Sequence, residues 1–259
     1  MAGATLNELY NTLVERVYAD DLQSQITYLS LIADIRQVSV DYLLSRGMLF
    51  IPNNDYIHHY LKSDADAWGP GLYESGYCPW TLFAVLPIVD LVGDTVGLVG
   101  YDVQNKWKSE NEGLEGLPMY KVSSKLTFQR DRYFLSDIDV LRSEYSRRSI
   151  FIVDGVFDSV ALNYRGLPAI SLLGSTVSKE VLYFLRWYQS IYVITDNDTA
   201  GNSLLRRLRK SLPRVSQVTQ NKCKDIEQLL RTDGRDGPIT GQLREIIRSR
   251  PNEDVKLRV

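Results

Sequence analysis

Four aspartates stand where a folded chain could gather them around a cation. Asp154 ends the apolar run Ile150-Phe151-Ile152-Val153, and Gly155 and Asp158 follow it. Asp196 and Asp198 close a second run, Ile191-Tyr192-Val193-Ile194-Thr195, and precede Ala200-Gly201. An apolar, β-branched run that stops at acids and a glycine is how a buried parallel strand delivers carboxylates to the carboxyl edge of its sheet. Asp196 and Asp198 are two positions apart, so in an extended segment both can face one side. Carboxylates crowded together repel one another unless a cation lies between them. Oxygen-only donors suit a hard divalent ion, Mg²⁺ or Mn²⁺. Such an ion lowers the pKa of a hydroxyl and neutralises a phosphate and its leaving group, which is what nucleotidyl transfer requires.

The elements that must position these acids alternate regularly from residue 149 onward. Strand 149–153 leads into helix 156–165, which Gly166 ends. Strand 168–173 leads through Gly174 into helix 178–188, with Ser178 as N-cap. Strand 190–195 leads into helix 199–211, which Pro213 ends, and strand 215–219 leads into helix 225–232. A last helix covers 239–248. Strands alternating with helices in this way predict an α/β fold, a parallel four-stranded sheet flanked by helices. Asp154, Gly174 and Asp196 then fall at the carboxyl ends of strands, where ligands gather. Upstream, helical spacing covers 6–18 and 22–35, and a short helix over 39–46 ends at Gly47. Residues 52–80 read as loop or short helix. Apolar runs at 82–89 and 96–103, joined by Asp90-Leu91-Val92-Gly93-Asp94, predict a hairpin. A polar loop covers 104–120.

Composition narrows the classes of function. At 259 residues the chain can hold one large domain or two small ones, and 44% apolar with 24% charged content is ordinary globular material. The net charge of −2 gives no general attraction to nucleic acid, so any basic surface must be local. Cys78 and Cys223 are the only cysteines, which leaves no zinc ribbon and predicts no zinc and two reduced thiols in a cytoplasmic protein. The N-terminus lacks the regions of a signal peptide, and no apolar run reaches membrane length, so no membrane partner is expected.

As a set, the two acidic strand ends resemble the TOPRIM domain shared by bacterial-type primases, topoisomerases and some nucleases. Lys224-Asp225-Ile226-Glu227-Gln228-Leu229-Leu230 resembles the third acidic motif of the bacterial (DnaG-like) primases, and Ala169-Ile170-Ser171-Leu172-Leu173-Gly174-Ser175 their middle strand and glycine turn. Tyr42-Leu43-Leu44-Ser45-Arg46-Gly47 is similar to a signature of their N-terminal subdomain. Leu86-Pro87-Ile88-Val89-Asp90 with Val96-Gly97-Leu98-Val99-Gly100-Tyr101 is similar to its hairpin. Pro118-Met119-Tyr120-Lys121 and Phe128-Gln129-Arg130 fall where that family has its basic, nucleotide-contacting segment. The resemblance covers roughly residues 35–235.

It implies a mixed α+β N-terminal subdomain over 1–146, a TOPRIM catalytic domain over 147–235, and a C-terminal helix and tail over 236–259. It implies synthesis of short RNA primers from NTPs on single-stranded DNA, by two-metal-ion catalysis. Asp154 takes the place of the family's glutamate as general acid/base; Asp158, Asp196 and Asp198 take the metal positions; Asp225 and Glu227 take secondary acidic positions. Lys121, Lys125, Arg130 and Arg132 would hold nucleotide phosphates and template, interleaved with aromatics as single-strand binders are. The chain departs from the family in carrying Asp at 154, one methylene short, and Met119 in place of a lysine. The family's zinc-binding domain and helical C-terminal half have no counterpart here. The resemblance therefore implies a pared-down core, suggestive of a phage or mobile-element replication protein in a bacterial host cytoplasm. A helicase or a separate zinc-bearing protein would then hold the template.

Other readings use the same residues. A TOPRIM nuclease would use the same metals with water as nucleophile, and a scaffold could keep the fold without catalysis. Asp154 could cap the helix that follows it. Residues 199–224 carry Arg206, Arg207, Arg209, Lys210, Arg214, Lys222 and Lys224 with no acid. That stretch is either a phosphate-tracking surface beside the metal site, with Arg206 binding nucleotide or template, or a solvated helix face.

Overall fold

The computed structural model describes residues 5–61, 80–90, 92–105, 112, 120–122, 133–134, 137–142, 148–173, 177–195, 199–219 and 226–258. The chain divides into two compact units, residues 1–34 with 39–129, and residues 35–38 with 130–259.

In the first unit, helix α1 (Leu6–Arg36) leaves helical geometry at Asp21 (φ −134°, ψ 27°), in the gap that the sequence leaves between two helical stretches. Its apolar positions Leu9, Tyr10, Leu13 and Val17 recur at helical spacing and are buried against Leu49, Trp80, Val85 and Leu98. Helix α2 (Val40–Ser45) is capped by Ser39, whose Oγ accepts from the Tyr42 N–H at 3.1 Å. Gly47 follows it at φ +69°. Strand β1 (Leu49–Phe50), helix α3 (Asn54–Leu61) and strands β2 (Phe83–Val89), β3 (Thr95–Asp102) and β4 (Tyr120–Val122) complete the unit. The four strands form an antiparallel sheet in the order β1-β2-β3-β4. The predicted hairpin is β2-β3. Its turn is closed by Asp90, whose Oδ1 accepts from the N–H groups of Val92, Gly93 and Asp94.

Tyrosine hydroxyls tie α1 to this sheet. Tyr10 donates to the carbonyls of Gly47 (2.8 Å) and Val85 (3.2 Å), and Tyr18 to those of Leu44 (3.1 Å) and Met48 (2.8 Å). Burial raises the pKa of both.

The second unit holds strand β5 (Tyr133–Phe134), helix α4 (Ile138–Arg142), and then the alternation read from the sequence. That alternation is β6 (Ser149–Val153), α5 (Val156–Tyr164), β7 (Ala169–Leu172), α6 (Lys179–Leu185), β8 (Ser190–Ile194), α7 (Thr199–Ser211), β9 (Val215–Thr219) and α8 (Ile226–Asp233). Helix α9 (Pro238–Ser249) and strand β10 (Val255–Lys256) follow. Among the described residues the sheet has six strands in the order β10-β9-β8-β6-β7-β5. The expected parallel strands β6 to β9 are its centre. Parallel β10 extends one side, and antiparallel β5 the other.

Every residue of β6 and β8 is buried, as strands covered on both faces must be. Phe151, Val153, Tyr192 and Ile194 share one face and pack with Leu162, Leu229, Leu243 and Ile246. Burying side chains of this size stabilises by about 1.5–3 kcal/mol each. Strand β10 also joins this layer, through Val255 and Leu257.

Candidate functional site

Strand order locates the site. From β6 the chain crosses to β7 on one side, and β8 returns to the other side of β6. The order therefore reverses between β6 and β8, and the crevice outside their carboxyl ends is where open α/β sheets bind ligands. Val153 pairs with Ile194 at the last rung of this ladder. Asp154 and Thr195 are the next residues out.

Asp154 is exposed at the end of β6. Its position is fixed through its backbone, because the buried Ser171 Oγ on neighbouring β7 donates to the Asp154 carbonyl at 2.9 Å. The N-cap of α5 is Gly155, in extended geometry (φ −89°, ψ 145°), so Asp154 lies one residue outside the cap and the reading of Asp154 as helix cap is corrected. The capping acid is Asp158. It stands at the third helical position and its Oδ2 accepts from the Gly155 N–H at 3.0 Å. This bond also explains the glycine. A Cβ at 155 would fall against the Asp158 carboxylate.

Thr195, across the crevice from Asp154 in strand order, has a buried Oγ1 with no hydrogen-bond partner among the described residues. A buried hydroxyl without a protein partner calls for a water, an ion or a substrate oxygen. Carboxylate oxygens and a hydroxyl make a hard, all-oxygen donor set, which fits Mg²⁺ or Mn²⁺. Among the described residues no three His, Cys, Asp or Glu side chains come together. Asp196, Asp198 and Asp225 lie outside the described residues, as do Lys125, Arg130 and Arg132. Glu227 lies on α8 and Lys121 on β4, but their side chains are outside the description. Arg206 is exposed on α7. The structure thus brings Asp154, Asp158 and Thr195 to one crevice.

A buried frame holds the helix that carries Asp158. The Asn163 amide on α5 donates to the Ala169 carbonyl (3.2 Å) and accepts from the Ala169 N–H (3.0 Å), locking α5 to the start of β7. Arg165 is 2% exposed and donates to the carbonyls of Ala161 (2.9 Å), Leu230 (2.9 Å) and Gly234 (3.2 Å). It thereby joins the C-terminal ends of α5 and α8, and burial lowers its pKa below the ordinary value. Asp233 accepts from the N–H groups of Ile239 and Thr240, each at 2.7 Å, and caps α9.

Residues 151–230 match the Toprim-like family. This span holds β6 to β9 and the crevice acids. The second unit carries a TOPRIM-like domain. Over 106 residues the chain is 31% identical to a DNA primase of Rickettsia felis, covering 39% of this chain and 18% of that protein's length. A solved structure of the DnaG catalytic core superimposes with a TM-score of 0.70 at 19% identity, covering 93% of this chain and 79% of that one. A DnaG primase catalytic domain bound to single-stranded DNA superimposes with a TM-score of 0.66 at 16% identity, covering 94% and 80%. The chain therefore resembles the DnaG-type catalytic core in fold across both units, while the curated relatives are matched over under a fifth of their length.

Sequence reasoning missed Ser171 and Thr195. Each is a small hydroxyl residue in a strand, with no spacing that separates a structural role from a functional one. Gly155 was visible only as a glycine in a turn. The bond between Asp158 and its backbone supplies the reason.

Proposed function

We propose that this chain is a primase-like nucleotidyltransferase that makes short RNA on single-stranded DNA. The observation that carries the proposal is the pair Asp154 and Asp158 at the switch point of a sheet that superimposes on the DnaG catalytic core. The relatives named DNA primase and the core bound to single-stranded DNA support the same reading.

Asp158, Asp196 and Asp198 would hold the divalent cation, with Asp225 and Glu227 beside them. When bound, the cation lowers the pKa of the attacking 3′-hydroxyl and offsets charge on the phosphates. Asp154 would take the proton of that hydroxyl as its oxygen attacks the α-phosphorus and pyrophosphate leaves. The hydrogen bond from Gly155 would fix the orientation of the Asp158 carboxylate beside the ion. Lys121, Lys125, Arg130, Arg132 and Arg206 would meet the phosphates of NTP and template.

The test is incorporation of labelled NTPs on a single-stranded template by the purified chain with Mg²⁺, alongside cleavage of labelled DNA. Incorporation is expected, and it should be lost in Asp158→Asn and in Asp196→Asn/Asp198→Asn. Asp154→Glu should stay active while Asp154→Ala loses about a hundredfold or more in turnover, the scale of a general base. Gly155→Ala should weaken metal binding, because its Cβ displaces the Asp158 carboxylate. DNA cleavage without incorporation would assign the nuclease reading, and neither activity the scaffold reading.

A further inference from the structure

A groove opens at the opposite, amino-terminal edge of the same sheet. It has a volume of about 500 Å³ and is lined in part by Arg186, Trp187, Tyr188, Gln189, Pro213 and Arg214. Strands β8 and β9 begin beside it, at Ser190 and Val215. The intervening length of β8 sets the groove roughly 16 Å from the carboxyl edge, at about 3.3 Å per residue. It is therefore distinct from the Asp154 crevice.

The lining is unusual in charge and in exposure. Among the described residues it includes two arginines and no acid. Both arginines are exposed, and neither has a carboxylate partner among the described residues. Arg209, in the last turn of α7, is by contrast paired with Asp254. The Arg148 backbone lies at this edge, its carbonyl accepting from the N–H groups of Gln189 and Ser190, each at 2.9 Å. The aromatics are open as well. Trp187 is 73% exposed and Tyr183, one helical turn before it, 64%. Their centroids lie 6.4 Å apart, edge to face (78°), which leaves ring faces available to a third planar group. Gln189 is oriented by Arg250, whose Nη1 donates to its Oε1 at 2.9 Å.

Large aromatic rings stay in water at a cost unless something covers them. Cations without acids select an anionic cover. Rings with open faces beside unpaired guanidinium groups match a base and its phosphates, the two features every nucleotide of a single strand repeats. A cavity of this size suits one such unit. We propose that this groove binds single-stranded nucleic acid, stacking a base on Trp187 with flanking phosphates on Arg186 and Arg214. The proposal goes beyond the catalytic site and takes from the function proposed above only that the chain works on nucleic acid.

The test measures binding of a fluorescein-labelled dT₁₂ oligonucleotide to the whole chain in EDTA, so that metal chemistry plays no part. Trp187→Ala should bind about tenfold more weakly, the scale of one stacked base, and Trp187→Phe should recover part of the loss. Arg186→Ser/Arg214→Ser should lower the slope of log affinity against log salt by about 1.4, at about 0.7 per phosphate contact. An oligonucleotide carrying 5-iododeoxyuridine should photocross-link to the peptide holding Trp187 and Tyr188. Unchanged affinity and slope in all three variants, with cross-links confined to other peptides, would overturn the groove and leave its aromatics to a protein partner. No binding by the wild-type chain would overturn the groove and the function above together, whereas priming activity with unchanged variants would sink the groove alone.

Discussion

Gln25 in the first unit and Asn163 in the second make the same kind of bond in different surroundings. The Gln25 amide donates to the Phe50 carbonyl (2.9 Å) and accepts from the Phe50 N–H (2.8 Å), as Asn163 does with Ala169. Each amide stands in for a missing strand and satisfies both backbone groups of one residue. Both side chains are buried, but their neighbours differ. Gln25 Nε2 also donates to the Tyr56 hydroxyl, which in turn donates to the Asp21 carboxylate at 2.7 Å, beside the kink in α1. Asn163 reaches from α5 to a strand buried along its whole length. The same bond is thus tied to a titratable tyrosine in one unit and set against a fully buried strand in the other. What an amide brace contributes depends on where its last hydrogen bond leads.

Three measurements would break or sharpen this contrast. Asn163→Ala should have the largest effect. It leaves the Ala169 N–H and carbonyl buried without partners, at about 1–3 kcal/mol for each group. Urea unfolding of the second unit should show a loss near 3 kcal/mol. Gln25→Ala should cost less, about 2 kcal/mol, because Phe50 is only half-buried and water can replace part of the pairing. Equal losses would mean that the surroundings do not matter.

The smallest effect, and the most specific, is in pH. Burial, and then the hydrogen bond to Asp21, raises the Tyr56 pKa well above its ordinary 10.0. A raised pKa contributes stability that is whole below the unfolded value of about 10, and that is lost as pH climbs toward the folded value. Stability measured by urea unfolding should therefore fall above about pH 10, and that of Tyr56→Phe should fall less. Gln25 donates to the Tyr56 oxygen, which favours the ionised form and lowers this pKa. The cost of Gln25→Ala should thus grow as pH climbs toward the folded value, while that of Asn163→Ala holds. A Tyr56→Phe variant with the same alkaline loss as wild type would show that the Tyr56 link contributes nothing.

The parts of the fold that were legible are those with a repeating signal. The β-branched runs at 149–153 and 190–195 became β6 and β8 because a strand buried on both faces has to be apolar throughout. Ser39, Ser178, Gly47 and Gly166 marked helix ends because capping needs a short hydroxyl or a positive φ. Strands β1, β5 and β10 were not legible. Each is two residues long, too short to show a period. Buried polar residues were equally hidden. Arg165 reads as a surface cation, and Gln25 as one polar residue among several in a helix, until the carbonyls they meet are known. At the site, the spacing of Asp154 and Asp158 placed both acids at one strand end. The bond that makes Asp158 a capping residue depends on backbone direction, which spacing does not carry.

The two-residue strands β5 and β10 form the outer sides of the six-stranded sheet. An outer strand shows unpaired N–H and C=O groups to any passing chain, and short ones show few. The five-residue strand β9 would otherwise present that row. Val255 and Lys256 lie along it, and the Leu257 N–H reaches the Thr219 carbonyl at 2.9 Å. This short segment therefore works as selvedge. It keeps one molecule's sheet from continuing into the next, so the crowded, slowly formed parallel core can exist at high concentration without templating fibres.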